Sequence, residues 1–307
     1  MSLWSRIIQR LKRDFFRFNF NREIRLILDT PPLKQGVLEF TLLSQVHKRD
    51  VLPYLLAVNS FTRFANPQQI VMVCDPSIEA DDKALISKHI PHITFRHADE
   101  FTHADIPRGG TWERLYAISE YAQSSYVIQL DADTVTTAPV PWVLEAIQNK
   151  DGFVLGEVSN QSLLSLATTS NNARPHLTET AHVQTLSEAT MDQLGLPEDR
   201  LYVRGCSGFT GFPIYPEMRE RLLDFSRRMT SKLNKNWVRW GTEQVTSNYL
   251  VANAQRTKVL PFPDYATPDV LQAQTCFLHF IGSMRFINSQ YQRTARLTIQ
   301  QLLAAQA

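Results

Sequence analysis

The sequence predicts an α/β fold: a mostly parallel central sheet with helices on both faces. Three observations carry that prediction. Strand-like and helix-like stretches alternate from residue 37 onward, the order that builds a parallel sheet from β-α-β units. The strand candidates are short, nearly continuous apolar runs, as strands covered on both faces require. Acidic residues stand where two of these runs end, and open α/β sheets bind their ligands beyond the carboxyl ends of the strands.

In chain order, "VLEFTLLS" (37–44) reads as the first strand and "RDVLPYLLAVNSFTRFA" (49–65) as a helix. "QIVMVCD" (69–75) is a second buried strand ending in Asp75, "DDKALISKH" (81–89) a short helix and "HITFRH" (92–97) a third strand. "TWERLYAISEYAQSS" (111–125) has Leu115, Ile118 and Tyr121 on one helical face and feeds the strand "YVIQL" (126–130). Pro139 and Pro141 open a helix through "WVLEAIQN", and "GFVLGEV" (152–158) is a further strand. From Ser159 to Arg200 the chain turns polar and reads as loop and short helices. An apolar block, "SGFTGFPIY" (207–215), precedes helices at 217–229 and 241–254, and the end holds one strand, "TCFLHFIG" (275–282), and a closing helix.

With 307 residues and 43% hydrophobic content, the chain can bury one large core. It carries no internal repeat and no low-complexity linker, so residues 31–307 are expected to form a single domain behind an N-terminal segment, 1–30. A helix over "MSLWSRIIQRLKRDFFRF" would gather Leu3, Ile7, Leu11, Phe15 and Phe18 on one face and Arg6, Arg10, Arg13 and Arg17 on another. That pattern fits a helix lying on the inner face of a membrane through residues 1–20; a helix packed on the domain is the alternative, and the favoured one. The net charge of +2 gives no bulk attraction to nucleic acid, so no such partner is expected. Cys74, Cys206 and Cys276 have no metal-ligand spacing and read as small buried hydrophobes in a reducing, cytoplasmic setting. The chain shows neither a spanning helix nor a secretory signal.

The chemistry concentrates in "SYVIQLDADTVTTAPVPW" (125–142), where Asp131 and Asp133 stand one residue apart at a strand exit. Two like charges this close repel unless a cation lies between them. A solvated turn is the alternative.

"RLYAISEY" and "YVIQLDADTV" resemble the region around the Asp-x-Asp of GT-A nucleotide-sugar glycosyltransferases, most closely family 8, the glycogenin and galactosyltransferase-like enzymes. "EQVTSN" (243–248) is similar to that family's Asp-Gln-Asp-x-x-Asn segment, "HFIGSMRF" (279–286) to its His-x-x-Gly-x-x-Lys-Pro-Trp, and "GCSGFTGFP" (205–213) to its Asn-Ser-Gly strand. Val245 replaces the third acid of the second motif, and Arg285-Phe286 replaces Lys-Pro-Trp. The resemblance covers residues 37 to 286 and implies a GT-A fold, a nucleoside diphosphate sugar donor, UDP-linked, and retention of anomeric configuration. It implies Asp131, Asp133 and His279 as metal ligands, Arg114 against the diphosphate or the metal-site carboxylates, and Glu243 and Gln244 as residues that orient sugar and acceptor. Gly282 would let backbone approach a phosphate, and Arg285 would pair with its oxygens. Ser44, Gln45 and Asp75 follow the first two strands, where the nucleoside would lie. A histidine beside two carboxylates favours Mn²⁺ over Mg²⁺. Trp240 is placed to stack on a sugar face. The acceptor, whether carbohydrate, lipid-linked or protein, is left open, and Glu243 is also the best-placed carboxylate for a general base.

Three other readings compete. In a haloacid dehalogenase-like phosphohydrolase Asp131 would be the nucleophile and Asp133 the general acid, but the closing acidic pair is absent downstream. A sugar-nucleotide pyrophosphorylase would need a Gly-rich basic loop after the first strand, which is also absent. A catalytically inactive GT-A module that only binds nucleotide would not need Asp131, Asp133, Glu243 and His279 intact.

Overall fold

The computed structural model describes residues 3–282 and 284–305. The first two residues of the N-terminal segment, the side chain of Leu3, Ser283 of the 279–286 motif and the last two residues of the chain lie outside the described residues. Helix α1 (Leu3–Glu23) leads into β1 (Leu38–Val46), followed by α2 (Val51–Thr62), β2 (Pro67–Cys74), α3 (Ala80–His89), β3 (Ile93–His97), α4 (Trp112–Tyr121) and β4 (Tyr126–Leu130). Next come β5 (Thr134–Thr136), α5 (Pro141–Asn149) and β6 (Phe153–Gly156). The polar stretch holds β7 (Leu164–Ser165), α6 (Leu166–Ala173) and α7 (Val183–Glu188), and β8 (Leu201–Tyr202) follows it. The chain finishes with β9 (Gly205–Phe212), α8 (Met218–Leu233), α9 (Thr242–Ala252), β10 (Lys258–Val259), β11 (Tyr265–Ala266), β12 (Phe277–His279) and α10 (Gln290–Ala304).

Local chemistry sets the helix starts. Glu79 and Asp82 form a reciprocal capping box at α3, Pro141 occupies the first turn of α5, and Ser165 accepts the amide of Thr168 at α6. The main sheet has seven strands in the order β10-β6-β9-β4-β1-β2-β3. β1 pairs parallel with β2 and β4, β2 with β3 and β10 with β6, while β9 runs antiparallel to both of its neighbours. The predicted mostly parallel sheet is therefore present, with β9 as the reversed strand. Adjacent residues of β1 serve opposite faces: Leu42 packs into one core layer and Leu43 into the other. Both faces are covered, which is why the strands read as continuous apolar runs.

The late strand departs from expectation. Of residues 275–282 only Phe277–His279 are extended, and they join a separate three-stranded sheet, β11-β12-β5. β5 leaves the end of β4 and pairs antiparallel with β12, matching Phe277 to Thr136, Leu278 to Val135 and His279 to Thr134. The backbone of β5 supplies the partners that an edge of the main sheet would have offered. The Phe277 ring stacks on Phe209 of β9 at 4.0 Å, tying the small sheet to the large one. Phe209 is fully buried, so Phe209→Ala should cost about 3–5 kcal/mol in denaturant unfolding, through lost burial and the cavity left behind.

Candidate functional site

The turn after β4 is fixed from three sides. The Ser44 hydroxyl donates to the Leu130 carbonyl at 2.6 Å, the Asp131 amide donates to the Gly208 carbonyl at 2.9 Å, and the Thr134 hydroxyl donates to the Asp131 carbonyl at 2.8 Å. The antiparallel β5–β12 pair brings the C-terminal segment alongside, and the Phe280 amide donates to the Asp133 carbonyl at 2.8 Å. Asp131, Asp133 and His279 therefore converge: one donor atom from each lies within 4.8 Å of the others. His279 Nε2 is 3.1 Å from Asp133 Oδ1 and 3.7 Å from Asp131 Oδ2. Gly208 makes room for the ring, because a Cβ there would lie 2.1 Å from His279 Cε1.

Two arginines hold the carboxylates. Arg114, 3% exposed, bridges Asp131 through Nη1 and Glu243 through Nη2, the latter at 3.2 Å. Arg285 donates to Asp133 Oδ2 from Nε at 2.8 Å and from Nη2 at 2.7 Å, and its Nη1 reaches Asp50 Oδ1 at 2.8 Å. Burial alone would raise the Asp133 carboxyl, but His279 and Arg285 more than offset it and hold the group well below the ordinary carboxylate range. Burial raises Glu243, and Arg114 only partly counters this. For His279 burial acts downward, yet Cys206 and Asp133, one at each ring nitrogen, lift it well above its ordinary value of 6.5.

These residues line a cavity of about 240 Å³. Of the sequence-predicted residues, Arg114, Asp131, Asp133, Glu243, Gln244, His279, Gly282 and Arg285 all stand in its wall, with Trp240, 75% exposed, at the rim. A Cβ on Gly282 would meet nothing within 4 Å, so no internal contact requires glycine there. Ser44 and Asp75 are not in the wall. Ser44 is buried as the clamp on Leu130, and the Asp75 carboxylate is engaged by Ser77 and by His47 at 3.1 Å. Gln45 accepts the Arg114 amide at 3.0 Å and so braces the start of α4.

Sequence reasoning missed five participants. Asp50 pairs with Arg285 from the start of α2; Thr111 and Ser207 donate to Glu243 Oε2 at 3.1 and 3.2 Å; Gln184 of α7 accepts from Gln244 at 3.3 Å. The fifth corrects an expectation: Cys206 is not a buried hydrophobe but half-buried, with Sγ 3.1 Å from His279 Nδ1, because its place near the start of β9 faces the cavity. The signal for Cys206 and Ser207 lay in the "GCSGFTGFP" stretch, and for Asp50 in a carboxylate following the first strand.

The donor set fits a divalent cation. Oxygen and imidazole ligands sit about 2.0–2.6 Å from such an ion and hence up to about 5 Å from one another, which the three donor atoms satisfy as they stand. A protonated His279 cannot ligate, so cation binding must displace its proton. Because the folded chain raises this group, Mn²⁺ affinity should strengthen with rising pH through and above neutrality, by up to about tenfold per pH unit. Electron paramagnetic resonance titration of free Mn²⁺ measures this, and His279→Gln should flatten the dependence.

No family model matches the chain, and no curated protein matches it. Solved structures do match. The bifunctional glycosyltransferase WbbM in its apo form aligns over 89% of this chain at 13% identity with a TM-score of 0.52, and this chain spans 53%, about half, of its length. An active-site mutant of LgtC aligns over 87% of this chain and 96% of its own, at 9% identity and a TM-score of 0.51. The fold is thus of the GT-A glycosyltransferase type, an α/β sheet with helices on both faces, as the sequence predicts.

Proposed function

We propose that this chain is a metal-dependent glycosyltransferase that moves a sugar from a nucleoside diphosphate sugar, UDP-linked, to an acceptor hydroxyl with retention of configuration. The observation that carries the reading is the convergence of Asp131, Asp133 and His279, beside two arginines, in one cavity at the carboxyl end of β4. Mn²⁺ held by these three residues would neutralise charge on the departing diphosphate as a Lewis acid. Arg285 and the open backbone at Gly282 supply the protein's own contacts for the phosphate oxygens. The three described cysteines are all free thiols, which supports a cytoplasmic setting.

Glu243 supports retention. Its Oε1 accepts from Arg114, and its Oε2 accepts from Thr111 and Ser207. A carboxylate so fully engaged is placed to orient neighbouring groups rather than to take a proton from an acceptor, and Gln244 beside it is itself held by Gln184. Trp240 offers an exposed indole at the cavity rim for an acceptor sugar. The phosphohydrolase reading has less support: Asp131 is tied to Arg114, and no lysine stands among the described residues lining the cavity.

Two measurements test the reading. In thermal unfolding, UDP with Mn²⁺ should raise the midpoint by several degrees and UDP alone should not, since a ligand at about a hundredfold its Kd adds about 2.7 kcal/mol; Asp133→Asn should erase the metal-dependent part. If a nucleoside diphosphate stabilises Asp133→Asn as well as it does the native chain, the metal assignment fails. In turnover, Glu243→Gln should stay within about a hundredfold of the native rate, less than the loss of a true general base can cost, and the product should keep the donor's α configuration by NMR. A β-linked product would overturn retention.

A further inference from the structure

Helix α1 leaves an apolar stripe in solvent. Trp4, Ile7, Ile8, Leu11, Phe15 and Phe18 are 42–75% exposed, and at 3.6 residues per turn all six fall within an arc of about 100°. Among the described residues the helix packs on the domain near its C-terminal end, where Arg17 lies over the Phe286 ring and Phe20, with Ile24 just beyond the helix, is buried on the roughly opposite side. At 1.5 Å per residue its 21 residues extend roughly 30 Å. An isolated exposed leucine needs no explanation, but a continuous stripe of this length does.

Charge selects what covers it. Between residues 3 and 22 stand six basic side chains, Arg6, Arg10, Lys12, Arg13, Arg17 and Arg22, against one acid, Asp14, a net +5. At 100° per residue Arg6, Arg10, Arg13 and Arg17 lie about 110–170° from the centre of the stripe, on the polar face of the helix, with Lys12 at the edge of the stripe and Arg22 in line with it. An apolar stripe backed by a polar face this basic is the pattern of a helix that lies on an anionic surface, which its net positive charge attracts, whereas two such helices repel each other. The tryptophan at the outer end of the stripe is of the type that settles at a lipid headgroup level. No helix among the described residues is long and apolar enough to cross a membrane, so the geometry is that of a helix lying in the surface.

We propose that α1 is a docking surface for an anionic lipid bilayer, with its apolar stripe in the acyl boundary and its net positive charge drawn to the anionic headgroups. This inference is independent of the transfer reading. The test uses the full chain and vesicles of phosphatidylcholine, with and without phosphatidylglycerol. The native chain should co-sediment with the anionic vesicles, release as salt rises because the charge attraction is screened, and show a blue shift in tryptophan emission that Trp4→Phe abolishes. The double variant Leu11→Asp with Phe15→Asp should bind at least about tenfold more weakly while keeping the native thermal midpoint, since both side chains are more than 60% exposed. Failure of the native chain to bind anionic vesicles, or equal binding by the double variant, would overturn the proposal. So would a concentration-dependent dimer in lipid-free solution that the double variant abolishes, because a second copy would then be what covers the stripe.

Discussion

Four carboxylates, Asp50, Asp131, Asp133 and Glu243, meet within one cavity region, and they can be packed together only because Arg114, Arg285 and His279 are packed with them. Asp133, Glu243, Arg114 and His279 are each at most 5% exposed. Removing one partner from such a group leaves a charge without compensation, which costs several kcal/mol, so the network fixes its members jointly. The members come from the α2 start, α4, the β4–β5 turn, α9 and the C-terminal segment. Arg114 is the joint between the two halves of the chain: it binds Asp131 from the alternating half and Glu243 from the late half. A helix from residue 112 and one from residue 242 are thereby held at one cavity wall.

The same network sets the charge state of the candidate metal cluster. The carboxylates are paired by guanidinium and imidazole groups, which explains why Asp133 is held ionised and His279 is driven toward its charged form. The two ring nitrogens have distinct neighbours: Nε2 faces the aspartates and Nδ1 faces the Cys206 sulfur. When His279 loses a proton, retention of the Nδ1 hydrogen against sulfur leaves the Nε2 lone pair toward the carboxylates, the arrangement a metal ligand needs. Cys206 is therefore a partner that orients the ring from behind.

Much of this was legible in the sequence because it rests on local signals. The alternation of apolar runs and helical periods gave the parallel half, since each strand is buried on both faces and announces itself as a continuous run. Asp131, Asp133, His279, Arg114 and Glu243 were each visible as polar or charged residues at strand or helix ends, or in short motifs. What was not legible depends on pairing between distant segments. That residues 277–279 join β5 rather than the main sheet follows from the path of the chain after Asp133, for which three residues of "TVT" give little signal. Asp50 lies next to Arg49 and looks like a helix-start acid, and only the fold brings Arg285 to it across 235 residues. Ser44 and Asp75 sit at strand ends as ligand-binding residues do, yet their side chains are spent on Leu130 and on Ser77 and His47. Position at a strand end is thus a weaker guide than direction of the side chain.

Alternation in the C-terminal segment explains how the site is anchored to the body. His279 and Arg285 turn toward the carboxylates, while the residues that follow each of them, Phe280 and Phe286, turn the other way. Both aromatic rings enter one cluster around Tyr291, which stacks on Phe280 at 4.2 Å and on Phe20 of α1 at 4.1 Å, with Phe286 5.5 Å from Phe20. Arg17 lies over the Phe286 ring at 5.4 Å. Stacked aromatics of this kind restrict rotation of the backbone that carries them, so the root of α1 helps to fix the segment from which His279 and Arg285 extend to the carboxylates. The root of α1 and the cavity are therefore joined through the backbone of residues 285–286, whose Phe286 ring packs against Phe20 while the Arg285 side chain holds Asp133.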